Sequence, residues 1–426
     1  MQLEDLIRMP RTIEQTGIEL GLLVDLTLKH FYDGGIFDLR QIADRMALAG
    51  SAMESILDIL CKDSKLEILS ADNKSAGVRY QLTDLGHSEA KYAFLSSAYI
   101  GRVPITINHY RQLVAAQSVF NNTLSKEQLK ADFADIIIEE HLLDQLGPAL
   151  HSGRAILVYG PAGSGKTFIC KRFARSLGDP VHLPYAICVG REIIQFFDPL
   201  IHHPIYAVNE KVNYQFHAQT DNRLILCDRP VAISGGELTM ESLELQYDTM
   251  RRFNQAPIQL KANNGIYIVD DLGRQRISVI DLLNRWIVPM EEHVDYLTLG
   301  TGQHFPVPFD VVLMFSTNID PLELVDEAFL RRLGYKIKFS AIHKTAYKAI
   351  WNAVCADKGI QLEEGVFEQV LNLYEAKHRL FMPCQPRDLL EMALNIARFN
   401  NQDVVTNENM LLAWNTYFID FLVKDG

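Results

Sequence analysis

Apolar residues follow two different periods in the first hundred positions of the chain. Between residues 18 and 60 they recur every three or four positions, which predicts three helices. The third helix starts near Ser51 and buries the apolar positions Met53, Ile56, Leu57 and Leu60. Two short strands are predicted next, at 66–69 and 78–82, and a polar turn at 70–77 joins them into a predicted hairpin.

This order of elements resembles a winged-helix domain, which we place at residues 1–100. Winged helices often bind DNA through the third helix. Here the outward face of that helix offers Ser51, Glu54, Ser55 and Asp58, and residues 1–100 contain 10 basic and 15 acidic side chains. Because phosphate neutralisation supplies most non-specific DNA affinity, this acidic surface favours a protein partner over DNA.

The rest of the chain predicts an α/β core followed by helices. Residues 101–124 show little periodicity and are interpreted as a connector, and residues 125–342 alternate apolar runs of strand length with helical patterns. The C-terminal region, 343–426, is predicted to form a helical bundle. Its four helical patterns lie near 343–357, 365–379, 386–400 and 407–423.

Residues 178–262 are longer than a strand–helix–strand unit requires. The apolar stretch from Tyr185 to Phe197 predicts one helix, and a second helix is predicted from Thr239 to Phe253. Basic and aromatic residues are mixed in this insert, so it either grips a substrate or packs as ordinary structure, and packing is the simpler interpretation. These residues are Lys211, Tyr214, Phe216, Arg251, Arg252 and Phe253.

The most specific motif is a glycine-rich loop between an apolar run at 155–159 and a predicted helix. Its sequence fits G-x-x-x-x-G-K-[ST], whose backbone N–H groups and helix start bind phosphate oxygens. Lys166 is expected to reach the β- and γ-phosphates of a nucleotide, and the Thr167 hydroxyl to hold Mg²⁺. The predicted nucleotide-binding residues are Gly160, Pro161, Ala162, Gly163, Ser164, Gly165, Lys166, Thr167 and the following Phe168.

Polar side chains end the two apolar strands that follow. Asp270 and Asp271 come after the run 265–269, and Asn318 comes after the run 311–317. We expect Asp270 to support Mg²⁺, Asp271 to polarise the attacking water and Asn318 to orient that water.

Composition excludes several other classes. The chain has 426 residues and a net charge of −12, which argues against a general nucleic-acid-binding surface. Its N-terminus does not match a secretory signal, and no apolar run is long enough for a membrane span. The six scattered cysteines include no C-x-x-C and are interpreted as thiols of a reducing compartment. We therefore expect a cytoplasmic protein.

The motifs GPAGSGKT, IYIVDD, FSTN, DEAFLRRL and QPRDL, in this order, resemble those of the AAA+ ATPases over residues 125–426. The run Asp270–Arg274 and a predicted hairpin over 294–309 are similar to the MoxR, magnesium-chelatase and McrB-like branch. The sequence around these motifs is similar to that of a bacterial group described as predicted ATPases with chaperone activity.

This resemblance implies a P-loop core built on a doubly wound parallel sheet, a C-terminal helical lid, and ATP and Mg²⁺ as cofactors. It implies a homo-oligomer, commonly a hexameric ring, that remodels a protein client recruited by the N-terminal domain. Arg332, with Arg331 as the alternative, matches the arginine finger given to a neighbouring subunit, and Arg387 matches an arginine that contacts the nucleotide in cis. The alternative to remodelling of a protein client is a function on nucleic acid, as a DNA-associated motor or loader.

One position departs from the family pattern, since most relatives have Glu where this chain has Asp271. The shorter side chain holds its carboxylate further from the water, and a misplacement of about 1 Å can cost roughly a hundredfold in rate. We therefore expect slow hydrolysis, which Asp271→Glu should raise. A nucleotide switch that does not hydrolyse ATP is the further alternative.

Overall fold

The structure is a computed structural model that describes residues 2–69, 78–121, 124–205 and 220–418. Three sequence predictions lie outside the described residues. They concern the turn at 70–77, the residues Lys211, Tyr214 and Phe216 of the insert, and the part of the last helix beyond residue 418.

Contacts divide the chain into two compact units. The first comprises Met1–Thr123, Leu177–Val269 and Arg274–Leu313, and the second comprises Leu124–Ser176, Asp270–Gly273 and Met314–Gly426. The first unit thus joins the predicted N-terminal domain to most of the predicted insert. The domain boundaries proposed from the sequence stay predictions.

The N-terminal part of the first unit has the predicted three helices and hairpin. The third helix, Gly50–Lys62, buries Met53, Ile56, Leu57 and Leu60 completely. Three antiparallel strands form a small sheet in the order Phe37–Asp38, Arg79–Leu82, Leu66–Leu69. The helices of this part are Leu3–Leu6, Ile13–Thr16, Leu20–Gly34, Leu39–Met46, Gly50–Lys62 and Asp84–Ser96.

The predicted connector contains a helix, Ile107–Ala116. Thr106 caps it by accepting a hydrogen bond from the His109 N–H at 3.2 Å, and Tyr110, Leu113 and Val114 are buried. Arg111 donates from Nε and a terminal nitrogen to the Pro306 carbonyl oxygen at 3.2 and 2.6 Å. The segment therefore contains a packed helix that is hydrogen-bonded to the hairpin of residues 294–308.

Both helices predicted for the insert are wrong. Tyr185–Phe197 contains two antiparallel strands, Ala186–Val189 and Glu192–Gln195, which turn at Gly190 with φ +58°. In the second stretch the Asp248 carboxylate accepts hydrogen bonds from the N–H groups of Met250 and Arg251. That interaction closes a turn between the strands Gln246–Asp248 and Phe253–Gln255, and so breaks the helical path.

Two of the residues proposed to grip a substrate are used for packing. Phe253 is buried, and its ring meets that of Tyr99 edge to face at 5.7 Å. Arg252 donates a hydrogen bond to the Leu95 carbonyl oxygen. The hairpin thus fastens the insert to the N-terminal helices, which favours the packing interpretation.

The remaining elements of the first unit include the predicted β-hairpin, Val294–Thr298 with His304–Pro308. Val231–Ser234 and Gly265–Val269 pair in parallel, with Val231 opposite Ile266. The other elements are the strands Ile105–Thr106, Val181–Pro184 and Leu224–Cys227, the α-helices Ile258–Lys261 and Val279–Glu292, and the 3₁₀ turns Val119–Asn121 and Glu241–Leu243.

The second unit contains a parallel sheet around the strand Ile156–Tyr159. This strand pairs on one side with Met314–Thr317, the end of the strand Val311–Thr317, and on the other with Tyr335–Lys338. Because parallel strands end at the same edge, their following residues lie close together. The helices here are Lys126–Asp132, Glu140–His151, Lys166–Arg172, Pro321–Leu324 and Glu327–Arg332, with a 3₁₀ turn at Phe173–Ser176.

Four helices predicted for the C-terminal region are confirmed within the described residues. Their core is aromatic and aliphatic, with Tyr347, Trp351, Tyr374, Leu389 and Trp414 buried together. Two short strands, Gln361–Leu362 and Val404–Val405, pair in parallel. The first strand follows the first of these helices, and the second strand precedes the last. The helices are Lys344–Lys358, Val366–Ala376, Gln385–Phe399 and Asn407–Tyr417.

All six cysteines are free thiols. Across the described ranges, the helices are too short or too polar to cross a bilayer.

His202 is a buried histidine that is held in its neutral form. Its Nδ1 accepts a hydrogen bond from the Asp198 N–H at 3.0 Å, and its Nε2 donates to the Lys261 carbonyl oxygen at 2.9 Å. The ring stacks on Phe196 with 5.2 Å between centroids. Burial lowers the pKa of His202 from 6.5 to about 4.

We expect the free energy of unfolding to fall as the pH is lowered from 6.5 to about 4. In this window the unfolded state binds a proton that the buried ring does not, so acid favours unfolding, and the full effect is about 3 kcal/mol. Urea denaturation at several pH values measures it. The variant His202→Gln should show a weaker pH dependence, and the matched change at exposed His203→Gln should leave it unaltered. Equal pH dependence in both variants would contradict the assignment.

Candidate functional site

The glycine-rich loop requires backbone conformations that exclude side chains. Gly160 and Gly163 have φ angles of +143° and +78°. A Cβ atom on Gly160 would lie 2.0 Å from the Phe339 carbonyl oxygen, and one on Gly163 would lie 2.5 Å from the Cys384 Sγ. The Cys384 N–H donates to the Gly163 carbonyl oxygen at 3.3 Å. Glycine at these positions therefore lets the loop pass close to neighbouring chain.

Lys166 lies at the centre of the loop and is buried. Its ammonium donates to the carbonyl oxygens of Gly160 and Pro161 at 2.9 and 3.0 Å, and it lies 3.4 Å from the Ser164 Oγ. Its shortest contact is to Asn318 Oδ1 at 2.7 Å. Burial lowers the pKa of Lys166, and the neighbouring Asp270 and Asp271 carboxylates oppose that shift.

Thr167 and Asp270 form the second part of the site. The Thr167 hydroxyl lies 2.9 Å from each carboxylate oxygen of Asp270, which directly follows the strand Gly265–Val269. One hydroxyl and one carboxylate fit Mg²⁺, which keeps several water ligands and takes the remainder from substrate phosphates. Within the described residues, no group of three or more His, Cys, Asp or Glu could hold a metal.

Asp271 and Asn318 complete the site. The Asn318 Nδ2 donates to Asp271 Oδ1 at 2.9 Å, while its Oδ1 accepts from Lys166. The orientation of the amide is fixed by its partners, because an ammonium only donates and a carboxylate only accepts. Lys166, Asn318 and Asp271 are therefore joined in one chain of hydrogen bonds.

The backbone of Asp271 is left-handed, with a φ angle of +52°. Among residues with side chains, Asp and Asn adopt this conformation most readily, because their short polar groups bond locally. The conformation gives a physical reason for Asp in place of Glu. Asp271→Glu would change both the reach and the backbone strain, so it no longer isolates the effect of a shorter acid.

A cavity of about 510 Å³ lies beside the loop within the second unit. Most of its wall is aliphatic, and Ser164, Gly165 and Phe168 of the loop region form one side. Such a cavity is suited to an aromatic base. The sequence indicated Phe168 and Arg387, which both line it, but not the aliphatic residues Ile137, Leu142, Ile350 and Val354.

The predicted arginines lie on two helices. Arg331 and Arg332 end the helix Glu327–Arg332 and are exposed. Arg331 lies 3.8 Å from Glu327, and the Arg332 guanidinium is 5.4 Å from the ring centre of Phe329. Arg387 lines the cavity, with its Nε 3.5 Å from the Asp388 carboxylate.

Comparisons with known proteins give limited similarity. Residues 343–416 match the family described as Domain of unknown function (DUF8689). A search of curated proteins finds no significant match.

Among solved structures the chain is similar to NtrX from Brucella abortus, with a TM-score of 0.41 and 11% identity over 66% of this chain and 57% of that one. It is also similar to the Thermotoga maritima RuvB Holliday junction branch migration motor, with a TM-score of 0.36 and 13% identity over 71% and 74%. The chain thus spans little more than half of NtrX.

We expect Asn318→Ala to bind ADP several-fold more tightly than the unchanged protein. Asn318 Oδ1 is the closest of the four acceptors around the Lys166 ammonium, so a phosphate oxygen that binds this cation competes with it. Removing the Asn318 acceptor removes a competitor worth about 1 kcal/mol, or roughly fivefold in affinity. Titration with a fluorescent ADP measures the change. Asn318→Asp keeps an acceptor and adds a negative charge beside the phosphates, so it should bind ADP more weakly than the unchanged protein. Unchanged or weaker binding by Asn318→Ala would contradict the prediction.

Proposed function

We propose that the protein is an AAA+ ATPase that hydrolyses ATP and uses the free energy to remodel or assemble a protein partner. The observation that carries this proposal is the hydrogen-bonded chain Lys166–Asn318–Asp271 beside the Thr167–Asp270 pair. It supports the proposal because an ammonium, a hydroxyl–carboxylate pair and a second carboxylate lie together at one edge of a parallel sheet.

Each side chain has a separate role in this proposal. Lys166 binds the β- and γ-phosphates, and Thr167 and Asp270 hold Mg²⁺. When bound, the metal neutralises charge on the phosphates. Asp271 accepts a proton from the attacking water, and Asn318, bonded to that acid, orients the water. The nucleotide base enters the aliphatic cavity next to Phe168, and Arg387, which also lines that cavity, contacts the nucleotide in cis.

We propose a homo-oligomer, a hexameric ring, in which ATP lies at the boundary between subunits. Arg332 is the proposed finger that stabilises the transition state in the neighbouring site, with Arg331 as the alternative. Their exposure at the end of a helix supports this role.

In the same proposal the protein is cytoplasmic and belongs to the MoxR-like bacterial branch. The hairpin Val294–Thr298 with His304–Pro308 supports that placement.

The domain scheme of the proposal assigns a winged-helix domain to 1–100, a connector to 101–124, the nucleotide-binding core to 125–342 and the lid to 343–426. The three N-terminal helices and the three-stranded antiparallel sheet support the winged helix. Glu54 and Asp58 are exposed on its third helix. Such a surface repels DNA phosphates, so we assign the domain to a protein client.

Two alternatives give different experimental results. A DNA-associated motor predicts that DNA raises the ATPase rate and that binding persists at moderate salt. A nucleotide switch predicts ATP binding without sustained phosphate release.

The first test compares Lys166→Ala with Asp271→Asn. We expect Lys166→Ala to lose ATP binding, because no other side chain of the loop supplies a cation. Asp271→Asn keeps the hydrogen-bonding shape but cannot take a proton, so binding should persist while turnover falls about a hundredfold or more. Fluorescent ATP titration and phosphate release measure the two effects. Full binding by Lys166→Ala would refute the ATPase proposal, and full turnover by Asp271→Asn would refute the role of Asp271 as the acid that activates water.

The second test concerns the arginine finger. Arg332→Ala and Asp271→Asn subunits should each be nearly inactive alone. Their mixture should recover part of the activity, because some boundaries then pair an intact Asp271 with an intact Arg332. Phosphate release measured against the mixing ratio gives the result. Arg331→Ala serves as the matched variant, and absence of recovery with either arginine variant would contradict a finger given in trans.

A further inference from the structure

The turn that carries the hydrolytic acid has an unusual backbone. Asp271 and Gly273 both have left-handed conformations, with φ angles of +52° and +103°. Residues in such conformations persist when surrounding contacts hold them in place. The contacts around Leu272, between these two residues, therefore decide where the Asp271 carboxylate lies.

Two hydrogen bonds tie Leu272 to the end of the strand Val311–Thr317. The Leu272 N–H donates to the Ser316 carbonyl oxygen at 2.7 Å, and the Thr317 hydroxyl donates to the Leu272 carbonyl oxygen at 2.8 Å. The same hydroxyl accepts from the Ile319 N–H at 3.1 Å. Thr317 is fully buried, so water cannot replace its hydroxyl without rearrangement.

These bonds lie between the two residues that act on the water. Asp271 directly precedes Leu272, and Asn318 directly follows Thr317. We propose that Thr317 is a positioning residue for ATP hydrolysis, whose hydroxyl keeps the Asp271 carboxylate against the Asn318 amide. This inference rests on the proposed ATPase function. A displacement of the acid by about 1 Å would lower the rate roughly a hundredfold, whereas the phosphate-binding contacts of Lys166 and Thr167 would remain.

The neighbouring Ser316 provides a matched control. It is buried on the same strand end, and no residue that the structure describes forms a hydrogen bond with its Oγ. Only its backbone carbonyl holds the turn, so Ser316→Ala should leave the turn in place. Thr317→Val removes the hydroxyl at nearly constant shape, and Thr317→Ser restores it.

The experiment measures kcat, the Kd for ATP and the thermal midpoint of these three variants. We expect Thr317→Val to lower kcat between ten- and a hundredfold with the Kd changed less than twofold, Thr317→Ser to recover most of kcat, and Ser316→Ala to match the unchanged protein. A kcat for Thr317→Val within twofold of the unchanged protein would overturn the proposal. So would a loss that Thr317→Ser does not recover.

Two further variants separate positioning from general stability. In an Asp271→Asn background, Thr317→Val should cause no additional loss of turnover, because the acid it positions is already absent. A further tenfold loss there would overturn the proposal. Should Thr317→Val fail to fold, Gly273→Ala displaces the same turn by another route, since its Cβ would lie 2.8 Å from Ile319 Cδ1. It should lower kcat at constant Kd, and full activity would overturn the proposal.

The failure of this inference differs from failure of the proposed function. If the unchanged protein releases no phosphate, or if Lys166→Ala still binds ATP, the ATPase function is refuted. If the unchanged protein hydrolyses ATP and Thr317→Val does so equally well, only the positioning role is refuted.

Discussion

The buried ammonium of Lys166 is the interaction on which the candidate site depends. A cation taken out of water must recover its lost hydration from fixed acceptors. Here two loop carbonyl oxygens and the Asn318 amide provide them, at 2.7 to 3.0 Å. The Lys166 ammonium therefore connects the loop to Asn318, which follows the strand Val311–Thr317. Through Asn318 it also connects the loop to the Asp271 carboxylate. The same acceptors hold the lysine where an anion can approach.

The parallel sheet explains why residues so distant in sequence meet at this charge. Strands Ile156–Tyr159 and Val311–Thr317 run in the same direction and in register, with Tyr159 opposite Thr317. The loop and Asn318 therefore leave the sheet at the same level. Within the acidic turn, left-handed backbone at Asp271 aims the carboxylate back toward Asn318. Local strain and sheet register together produce a geometry that neither would give alone.

Much of the site could be predicted from the sequence, because phosphate and Mg²⁺ binding restrict which residue types can stand at which spacing. Lys166 and Thr167 end the glycine-rich loop, and Asp270, Asp271 and Asn318 follow apolar strands. Their side chains form two hydrogen-bonded sets, Lys166–Asn318–Asp271 and Thr167–Asp270. The aliphatic cavity could not be predicted, because its residues come from separate segments. The sequence predicts a helix over Tyr185–Phe197, where the structure has two strands, because short buried apolar runs have no period that distinguishes a helix from a strand. The turn at Asp248 depends on one side chain capping two N–H groups, which composition does not reveal.

The close approach of Gly163 to Cys384 links the phosphate loop to the C-terminal helices. The Gly163 carbonyl oxygen accepts from the Cys384 N–H, and Cys384 directly precedes the helix Gln385–Phe399. Any shift of that helix must therefore change the loop, and any ligand that reshapes the loop must change the helix. By thermodynamic reciprocity, a partner that binds the C-terminal helices and changes the affinity of the loop for a ligand has its own affinity changed by the same factor when that ligand binds. Because Gly163 has no side chain, the loop can lie directly against Cys384. Binding of a ligand to the loop is therefore coupled to the position of the helix Gln385–Phe399.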